Sequence, residues 1–551
     1  YHIHSMLSNG VTNIDSVTPF MDYVNEAQKC GMKAMAFSEH GCAFEWWHKK
    51  CAIEAAGMKY IHAVEAYITE TLEEKVRDNY HCVLIARNYD GFLELNRLMS
   101  RSFCRTDNHF YYVPRISMDE LFATSQNIIV TTACIGGVFG KGGSAVQQKM
   151  LSFMAANKER CFFEIAHHIS SKQIYYNQMV FALSQKYGIR LIAGTDTHVL
   201  NKQHERGRLI LQRAKGIHFE GEDEFDLKFH DYRGLIEEYN RQHSLDIRVV
   251  LKAIQNTNVL ADMIEPFELD RGTKYPHIYE NPEQTFRQKA MDAIENHPYA
   301  LERHSKEELT ERVEAELSVY EATKSIDFML LETYMREWEK KNGIYCGPGR
   351  GSVSGSMVAY LLGITQMDSL RFNLNFFRFM NPSRVTNADI DTDYAGKDRD
   401  KVKSFLLKDH MDLPQIRTAE IITFNTIKLK GAIRDVSRAL EIPLSVVKDI
   451  CAQCDNDEVP DSLRKKYPEL FEYVDIVIGT IVSIGSHPSG VLVSDLNIDE
   501  TVGLCTTGSS DYPISMINMK ELDDLMYVKL DILGLDNVGV INDTCKMADI
   551  D

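Results

Sequence analysis

A chain of 551 residues is too long for one hydrophobic core and is expected to divide into about two to four domains. Its 44% hydrophobic and 25% charged residues are ordinary for a globular protein, and it holds no apolar run of ~18 residues and no signal-peptide pattern, which argues against a helical membrane span. A net charge of -18 excludes indiscriminate coating of nucleic acid while leaving room for a local basic groove.

Residues 1 to about 265 alternate short apolar strands (33–37, 60–64, 82–86, 128–132, 161–165 and 190–193) with helical stretches. That rhythm predicts an α/β barrel or layered sheet, with functional side chains at the strand ends. Pro266, Pro276 and Pro282 mark a linker, and the charged stretch 283–341 reads as helical, so 266–345 is expected to open a second domain. Residues 346–404 carry a glycine loop, an apolar helix (356–362) and an aspartate-bearing strand. Residues 405–484 read as mainly helical, and 485–551 return to strands near 490–494 and 527–532. The twelve cysteines are scattered, which excludes a disulfide framework, fits a reducing compartment and makes the cytoplasm the expected location. Cys451 and Cys454 form a single CxxC, a spacing that a helix face produces without any zinc. The chain opens at Tyr1 without an initiator Met and stops at Asp551, as a fragment or processed piece is expected to do.

His2 and His4 share one face of an opening strand; Ser38-Glu39-His40, Glu65, His81, Cys134 and Thr195-Asp196-Thr197-His198 each fall at or beside an apolar strand. This spacing would gather imidazole, carboxylate and thiolate ligands at one end of a barrel, and several ligand types together point to a multinuclear metal site. A lone histidine is more often a solvated or core residue, but HxH, EH and DxH on successive strand ends are poorly explained that way. These motifs resemble the PHP (polymerase and histidinol phosphatase) domain, which begins with HxH and ends with DxH. The resemblance implies a (β/α)7-like barrel and up to three ions, Zn2+ or Mn2+, on His2, His4, His40, Glu65, His81, Cys134, Asp196 and His198. It further implies phosphoesterase chemistry; in replicative polymerases an intact set takes the form of a proofreading 3'-5' exonuclease, while a degenerate set is merely structural. The chain departs from the family after His4: it reads Ser8-Asn9-Gly10 where an Asp is usual, so that ligand is either missing or supplied by Asp15. Trp46 and Trp47 follow this loop, and core or rim packing is expected of them ahead of base stacking.

Gly347, Gly349 and Gly351 let the backbone approach a phosphate, Arg350 and Ser352 add a charge and a hydroxyl, and a helix expected from about Ser354 would aim its amides at the same anion. Asp389 and Asp391 lie two apart on a strand and so project side by side, where repulsion favours a divalent cation between them. Asp393 shares that face and reads as an outer charge. From Gly347 to Tyr394 the chain resembles the C-family replicative polymerases of bacteria and phages, the DNA polymerase III alpha family. Gly347 to Ser352, Leu361-Leu362-Gly363-Ile364-Thr365, Phe377-Arg378-Phe379-Met380-Asn381-Pro382, Arg384-Val385 and Asp389-Ile390-Asp391-Thr392-Asp393-Tyr394 fall in the family's order. Asn387-Ala388 replaces the usual Met-Pro. Ile422-Thr423-Phe424, Lys430, Ile433-Arg434-Asp435-Val436, Arg438, His487-Pro488-Ser489-Gly490-Val491 and Val528-Lys529-Leu530-Asp531-Ile532-Leu533-Gly534-Leu535 continue the match.

The resemblance implies an α/β multidomain protein in which the PHP-type barrel (1–265) is followed by a polymerase-beta-like mixed-sheet palm (266–345 as linker and start, then 346–404 and 485–551) and a helical thumb (405–484). It implies Mg2+ at Asp389, Asp391 and Asp531, with Arg350, Gly351, Ser352, Arg378 and Lys529 holding the triphosphate of a dNTP. Lys430, Arg434 and Arg438, spaced i, i+4 and i+8, are assigned to primer-template DNA, with a solvated helix face as the alternative. Family members continue beyond the third Asp with fingers, a helix-hairpin-helix element and an OB fold, so the chain is expected to end before the fingers. Contacts with the sliding clamp and other replisome subunits are expected in that later region. The rival readings are a metal-dependent phosphoesterase or nuclease acting only through the histidine cluster, and a non-catalytic assembly module.

Overall fold

The computed structural model describes residues 1–218, 224–383, 390–454, 458–508, 510 and 512–550. These form two compact units: Tyr1–Glu268 with Thr423–Gly485 and Asp499–Ser509, and Leu269–Ile422 with Ser486–Ile498 and Ser510–Asp551. The fold is α/β and multidomain, with a curled sheet in the first unit and a second, mixed sheet.

The first unit is built on β1 (Ala34–Phe37), β2 (Lys59–Thr69), β3 (Tyr80–Ala86), β4 (Phe110–Tyr111), β5 (Val113–Ser117), β6 (Ile128–Thr131), β7 (Cys161–Ile165) and β8 (Arg190–Ala193). Their order is β4-β5-β2-β3-β6-β7-β8, and β1 pairs with the first half of β2. Strands β6, β7 and β8 are parallel, whereas β3 runs antiparallel to both β2 and β6. Strand β7 reads Cys-Phe-Phe-Glu-Ile and is buried along its whole length, as an apolar run covered on both faces must be. Residues 2–4 tie the ends of this sheet together. The Thr197 amide donates to the His2 carbonyl at 3.1 Å, the His4 amide to the Thr197 carbonyl at 2.8 Å, and the Ser38 amide to the Ile3 carbonyl at 2.9 Å. Because Thr197 lies beyond β8 and Ser38 follows β1, the sheet curls on itself and these backbone edges are satisfied. Helices Leu429–Ala439, Leu444–Gln453, Asp461–Lys466 and Pro468–Val477 share an apolar core with Ile14, Val17 and Leu211.

Along the rest of the chain lie β9 (Asp391–Tyr394), β10 (Arg417–Thr426), β11 (Ile481–Ser494), β12 (Leu504–Cys505), β13 (Ile514–Ser515) and β14 (Val528–Gly534). Strand β12 belongs to the first unit, and the sheet of the second has the order β13-β10-β11-β14-β9. Strand β10 interrupts the interval expected to be mainly helical. Its Thr418, Ala419, Ile421 and Ile422 are buried on both faces, and this β-branched content favours a strand. Helices Pro282–Asn296, Lys306–Ala322 and Ile326–Lys341 supply Phe286, Tyr320 and Leu330 to a core that also takes Tyr394, Val491 and Leu530.

One carboxylate organises the turn after the glycine loop. Glu316, 1% exposed, accepts from the Ser356 hydroxyl at 2.7 Å, the Met357 amide at 2.8 Å and the Val358 amide at 3.1 Å, while Arg312 Nε donates to it at 2.6 Å. The N-terminal amides of the short helix Met357–Leu361 are therefore taken by the protein itself. The expectation that this helix would aim its amides at a phosphate is corrected by a residue about forty positions upstream. Replacing Glu316 with Ala leaves two buried amides and Arg312 without their partner, and is expected to lower unfolding free energy by roughly 3–5 kcal/mol in urea titrations followed by circular dichroism.

Candidate functional site

The ends of the first-unit strands bring the sequence-predicted ligands to one place. His2 and His4 alternate with Ile3, whose side chain enters the core while both imidazoles face inward. Glu65, in the middle of β2 and wholly buried, is the hub: its oxygens lie 3.3 Å from His2 Nε2, 3.7 Å from His4 Nε2, 2.7 Å from His40 Nδ1 and 3.0 Å from His81 Nδ1. Asp196 Oδ1 stands 3.3 Å from both His2 Nε2 and His4 Nε2. The Cys134 sulfur is 3.5 Å from His81 Nδ1. Asp15, the residue offered for the departure after His4, lies against the cluster. Its Oδ2 lies 2.8 Å from His40 Nε2 and 3.1 Å from His198 Nε2, and its other oxygen meets Arg208 at 3.2 Å.

These donors fall into three overlapping groups, His4/His40/His198, His2/His4/Glu65 and Glu65/His81/Cys134, with ligand atoms within 4.8 Å of one another in each. Among the described residues, His2 Nε2, His4 Nε2, His40 Nδ1 and Glu65 Oε2 are buried and satisfy no hydrogen-bond geometry, close as they are. Inward-facing nitrogens and oxygens left in that condition fit divalent cations. A cavity of about 480 Å³ opens on the cluster and is large enough for a nucleotide-sized ligand.

The charges are mutually held. Burial would raise the carboxyls of Asp15 and Glu65, but His198 and His40 acting on Asp15, and His81, His2 and His40 acting on Glu65, keep both well below the usual range. Burial opposes protonation of His40, yet Asp15 and Glu65 lift it to about 10. Burial together with His40 and His198 depresses His4 to about 4. Burial, then Asp196 and Glu65, pushes the Cys134 thiol far up, a state that a bound cation reverses.

Two residues support the cluster: Glu164, which sequence reasoning did not single out, and Glu39, which it named only within the EH motif. Glu164, 1% exposed on β7, accepts from His2 Nδ1 at 2.5 Å and from the Thr131 hydroxyl at 2.8 Å, which turns His2 Nε2 toward the centre. A Cβ at Gly194 would lie 1.8 Å from Glu164 Oε1, so only glycine leaves room for it. The signal was present as a lone acid in the apolar run Cys-Phe-Phe-Glu-Ile. Glu39 accepts from Lys49 at 2.7 Å and from the Ser5 and Ser8 hydroxyls at 2.5 and 2.6 Å, fixing the loop that carries His40. Trp46 and Trp47 are buried, and Trp46 Nε1 donates to the Val502 carbonyl at 2.8 Å, so neither is placed to stack on a base.

The second unit sets Asp391 and Asp531 directly opposite each other as register partners on the parallel strands β9 and β14, an arrangement that spaces their backbones by about 5 Å. Asp531 Oδ1 is buried without a hydrogen-bond partner among the described residues. Burial chiefly raises its pKa; Lys529 pulls against this and Asp391 adds to it. Arg350 reaches Asp391 Oδ2 at 2.9 and 3.1 Å and stands 3.8 Å from Asp393. The loop that carries it is fixed by the Gly347 amide, which donates to the Asp393 carbonyl at 2.8 Å. Gly349 and Gly351 have φ of +98° and +76°, and a Cβ on Gly349 would meet Thr365 Oγ1 at 2.4 Å. Ser352 starts a 3-10 turn, Lys529 pairs with Asp523 at 3.0 Å, and Arg378 is exposed. Asp389 lies outside the described residues. An unpartnered carboxylate oxygen beside a second carboxylate fits a hard divalent cation.

Residues 284–534 match the family described as the bacterial DNA polymerase III alpha NTPase domain, and residues 1–178 match the PHP domain. DNA polymerase III subunit alpha of Aquifex aeolicus is 28% identical, with 97% of this chain and 51% of that protein covered. The subunits of Campylobacter jejuni (25%; 99% and 49%) and Borreliella burgdorferi (26%; 98% and 48%) align similarly. Over these stretches the chain is similar to the DNA polymerase III alpha family. It spans about half the length of these curated DNA polymerase III alpha relatives.

The basic residues that the DNA polymerase III alpha resemblance assigns to DNA lie on helix Leu429–Ala439 of the first unit. Lys430, Arg434 and Arg438 are all exposed on one side, opposite the buried Ala432, Ile433 and Val436. Arg438 donates to the Ala214 carbonyl at 3.0 Å and meets Asp435 at 3.3 Å; among the described residues Lys430 and Arg434 have no ion-pair partner.

Cation uptake by the histidine cluster is expected to release more than one proton per chain near pH 7, since His40 is protonated and Cys134 is a thiol in the free cluster. Affinity should accordingly rise with pH. Calorimetric titration of Zn2+ in two buffers of different ionisation enthalpy measures this, and a buffer-independent heat would contradict it.

Proposed function

We propose that the protein of which this chain is part is a template-directed DNA polymerase of replication, extending a primer 3'-hydroxyl with dNTPs. The single observation that carries this reading is the facing pair Asp391 and Asp531, with Arg350 of the glycine loop beside it. Two Mg2+ ions held by Asp391, Asp531 and Asp389 would activate the primer hydroxyl and neutralise the leaving pyrophosphate. Asp531 contributes a buried oxygen with no competing donor among the described residues. Arg350, Gly351, Ser352, Arg378 and Lys529 orient the triphosphate, and Arg350 can pass from Asp391 to a phosphate oxygen without losing a charged partner. The chain offers no covalent nucleophile for this step, so its part is positioning and charge. Primer-template DNA and a replisome setting belong to the same proposal.

A second activity is favoured by the completeness of the histidine cluster and its cavity. We assign it metal-dependent phosphodiester hydrolysis, as a 3'-5' exonuclease on a DNA end. Its imidazole, thiol and carboxylate donors suit up to three Zn2+ or Mn2+ ions, which would supply an activated water. If this hydrolysis were the only activity, the chain would be a phosphoesterase with an idle palm.

Asp531→Asn in the full-length protein is expected to reduce primer extension by about a thousandfold or more while leaving hydrolysis by the histidine cluster intact. Undiminished incorporation would overturn the polymerase reading. Lys430→Gln and Arg434→Gln are each expected to lower the slope of log affinity against log salt by about 0.9, read by fluorescence anisotropy on duplex DNA. An unchanged slope would assign both cations to a solvated face.

A further inference from the structure

A histidine outside the nine-donor cluster has no assigned purpose. His167, two residues beyond β7, is wholly buried, and neither ring nitrogen has a hydrogen-bond partner among the described residues. Leaving a buried imidazole unsatisfied on both sides is unfavourable by several times the thermal energy, because each nitrogen gives up water and gains nothing. The backbone around it is pinned: the Ala166 carbonyl accepts from Asn177 at 2.8 Å and from Gln242 at 2.9 Å, and the His168 carbonyl from Gln242 at 2.6 Å. These bonds hold the backbone that carries the ring.

One nitrogen of His167 lies within 4.8 Å of a carboxylate oxygen of Asp226 and a ring nitrogen of His230. The His167 and His230 rings stand 5.0 Å apart, edge to face, and His230 Nε2 is 2.9 Å from Asp226 Oδ2. The other oxygen, Asp226 Oδ1, is held by Lys228 at 2.9 Å. Lys228 thus competes for Asp226 through the oxygen that does not face the histidines. Asp226 and His230 are partly exposed, which gives an ion a path in from solvent.

We propose that His167, Asp226 and His230 bind a divalent transition-metal ion of the zinc type, additional to those of the nine-donor cluster. Two imidazoles and one carboxylate make a three-ligand set that leaves a position for water, and they favour zinc-like ions over magnesium or calcium. Ligand atoms now 2.9 to 4.8 Å apart need only small movements to surround an ion at about 2.0–2.2 Å. The ion would join the end of β7 to the segment 225–230. That segment carries Leu227, whose carbonyl accepts from the His198 amide at 2.9 Å, and Phe229, whose amide donates to the Val199 carbonyl at 2.9 Å. Its structural work is to fasten the backbone on which His198 rests.

The test is metal counting on the chelator-stripped chain after reloading with Zn2+ or Co2+ and exhaustive dialysis. His230→Gln and Asp226→Asn are both expected to hold one ion per chain fewer than the parent while unfolding cooperatively. In a cobalt-loaded His230→Cys variant, a new thiolate-to-cobalt absorption band should appear above any due to Cys134. Equal metal content and equal affinity in the parent and both variants would overturn the assignment. So would a folded His230→Cys protein without the added band, leaving His167 as a histidine bridged by water.

Discussion

A fully buried glutamate surrounded by four imidazoles is the constraint from which the first unit takes its form. Glu65 carries a charge that would be prohibitively unfavourable in an apolar strand, and it is tolerated because His2, His4, His40 and His81 converge on it from three separate segments. Those segments are the first residues of the chain, the loop after β1, and β3. His2 and His4 therefore take part both in closing the curled sheet and in balancing the charge. Disturbing either disturbs both, which is why the ligand cluster and the fold cannot be separated energetically.

The second unit solves a different problem, holding two carboxylates side by side in partial contact with water. Pairing Asp391 with Asp531 across parallel strands creates repulsion that the isolated protein relieves with Arg350 rather than with a buried histidine. The residue is long, exposed and mounted on a glycine loop, so its charge can be withdrawn without unfolding anything. Similarity to the DNA polymerase III alpha family over residues 284–534 gives this arrangement its chemical context, and a separate match, to the PHP domain, covers residues 1–178.

Much of this was legible in the sequence because the informative residues sit at the ends of apolar runs, where local pattern and position coincide. The histidines of HxH and DxH and the alternating aspartates belong to that class. Asp15 was legible only as one of two alternatives, since the loop from Ser5 to Thr18 has no periodicity to say which side chain turns inward. Glu316 could not be read at all as the partner of the helix at Met357, because nothing in a sequence announces a hydrogen bond across about forty residues. Strand β10 was missed for a related reason: its β-branched residues are embedded among helices, and burial on both faces erases the alternation that marks a half-exposed strand.

The face of β9 turned away from its carboxylates has a role of its own. Thr392 and Tyr394 point to Arg336, which donates to the two hydroxyl oxygens at 3.3 and 3.0 Å, while the Tyr394 hydroxyl donates to Glu339 at 2.6 Å. These side-chain bonds add to the ladder with β14 in fixing a strand of four residues, and sliding it by a single position would swap an aspartate for a tyrosine on the wet side. The buried arginine thus works as an index pin: it recognises the tyrosine hydroxyl and by doing so decides which side chains the neighbouring strand will face.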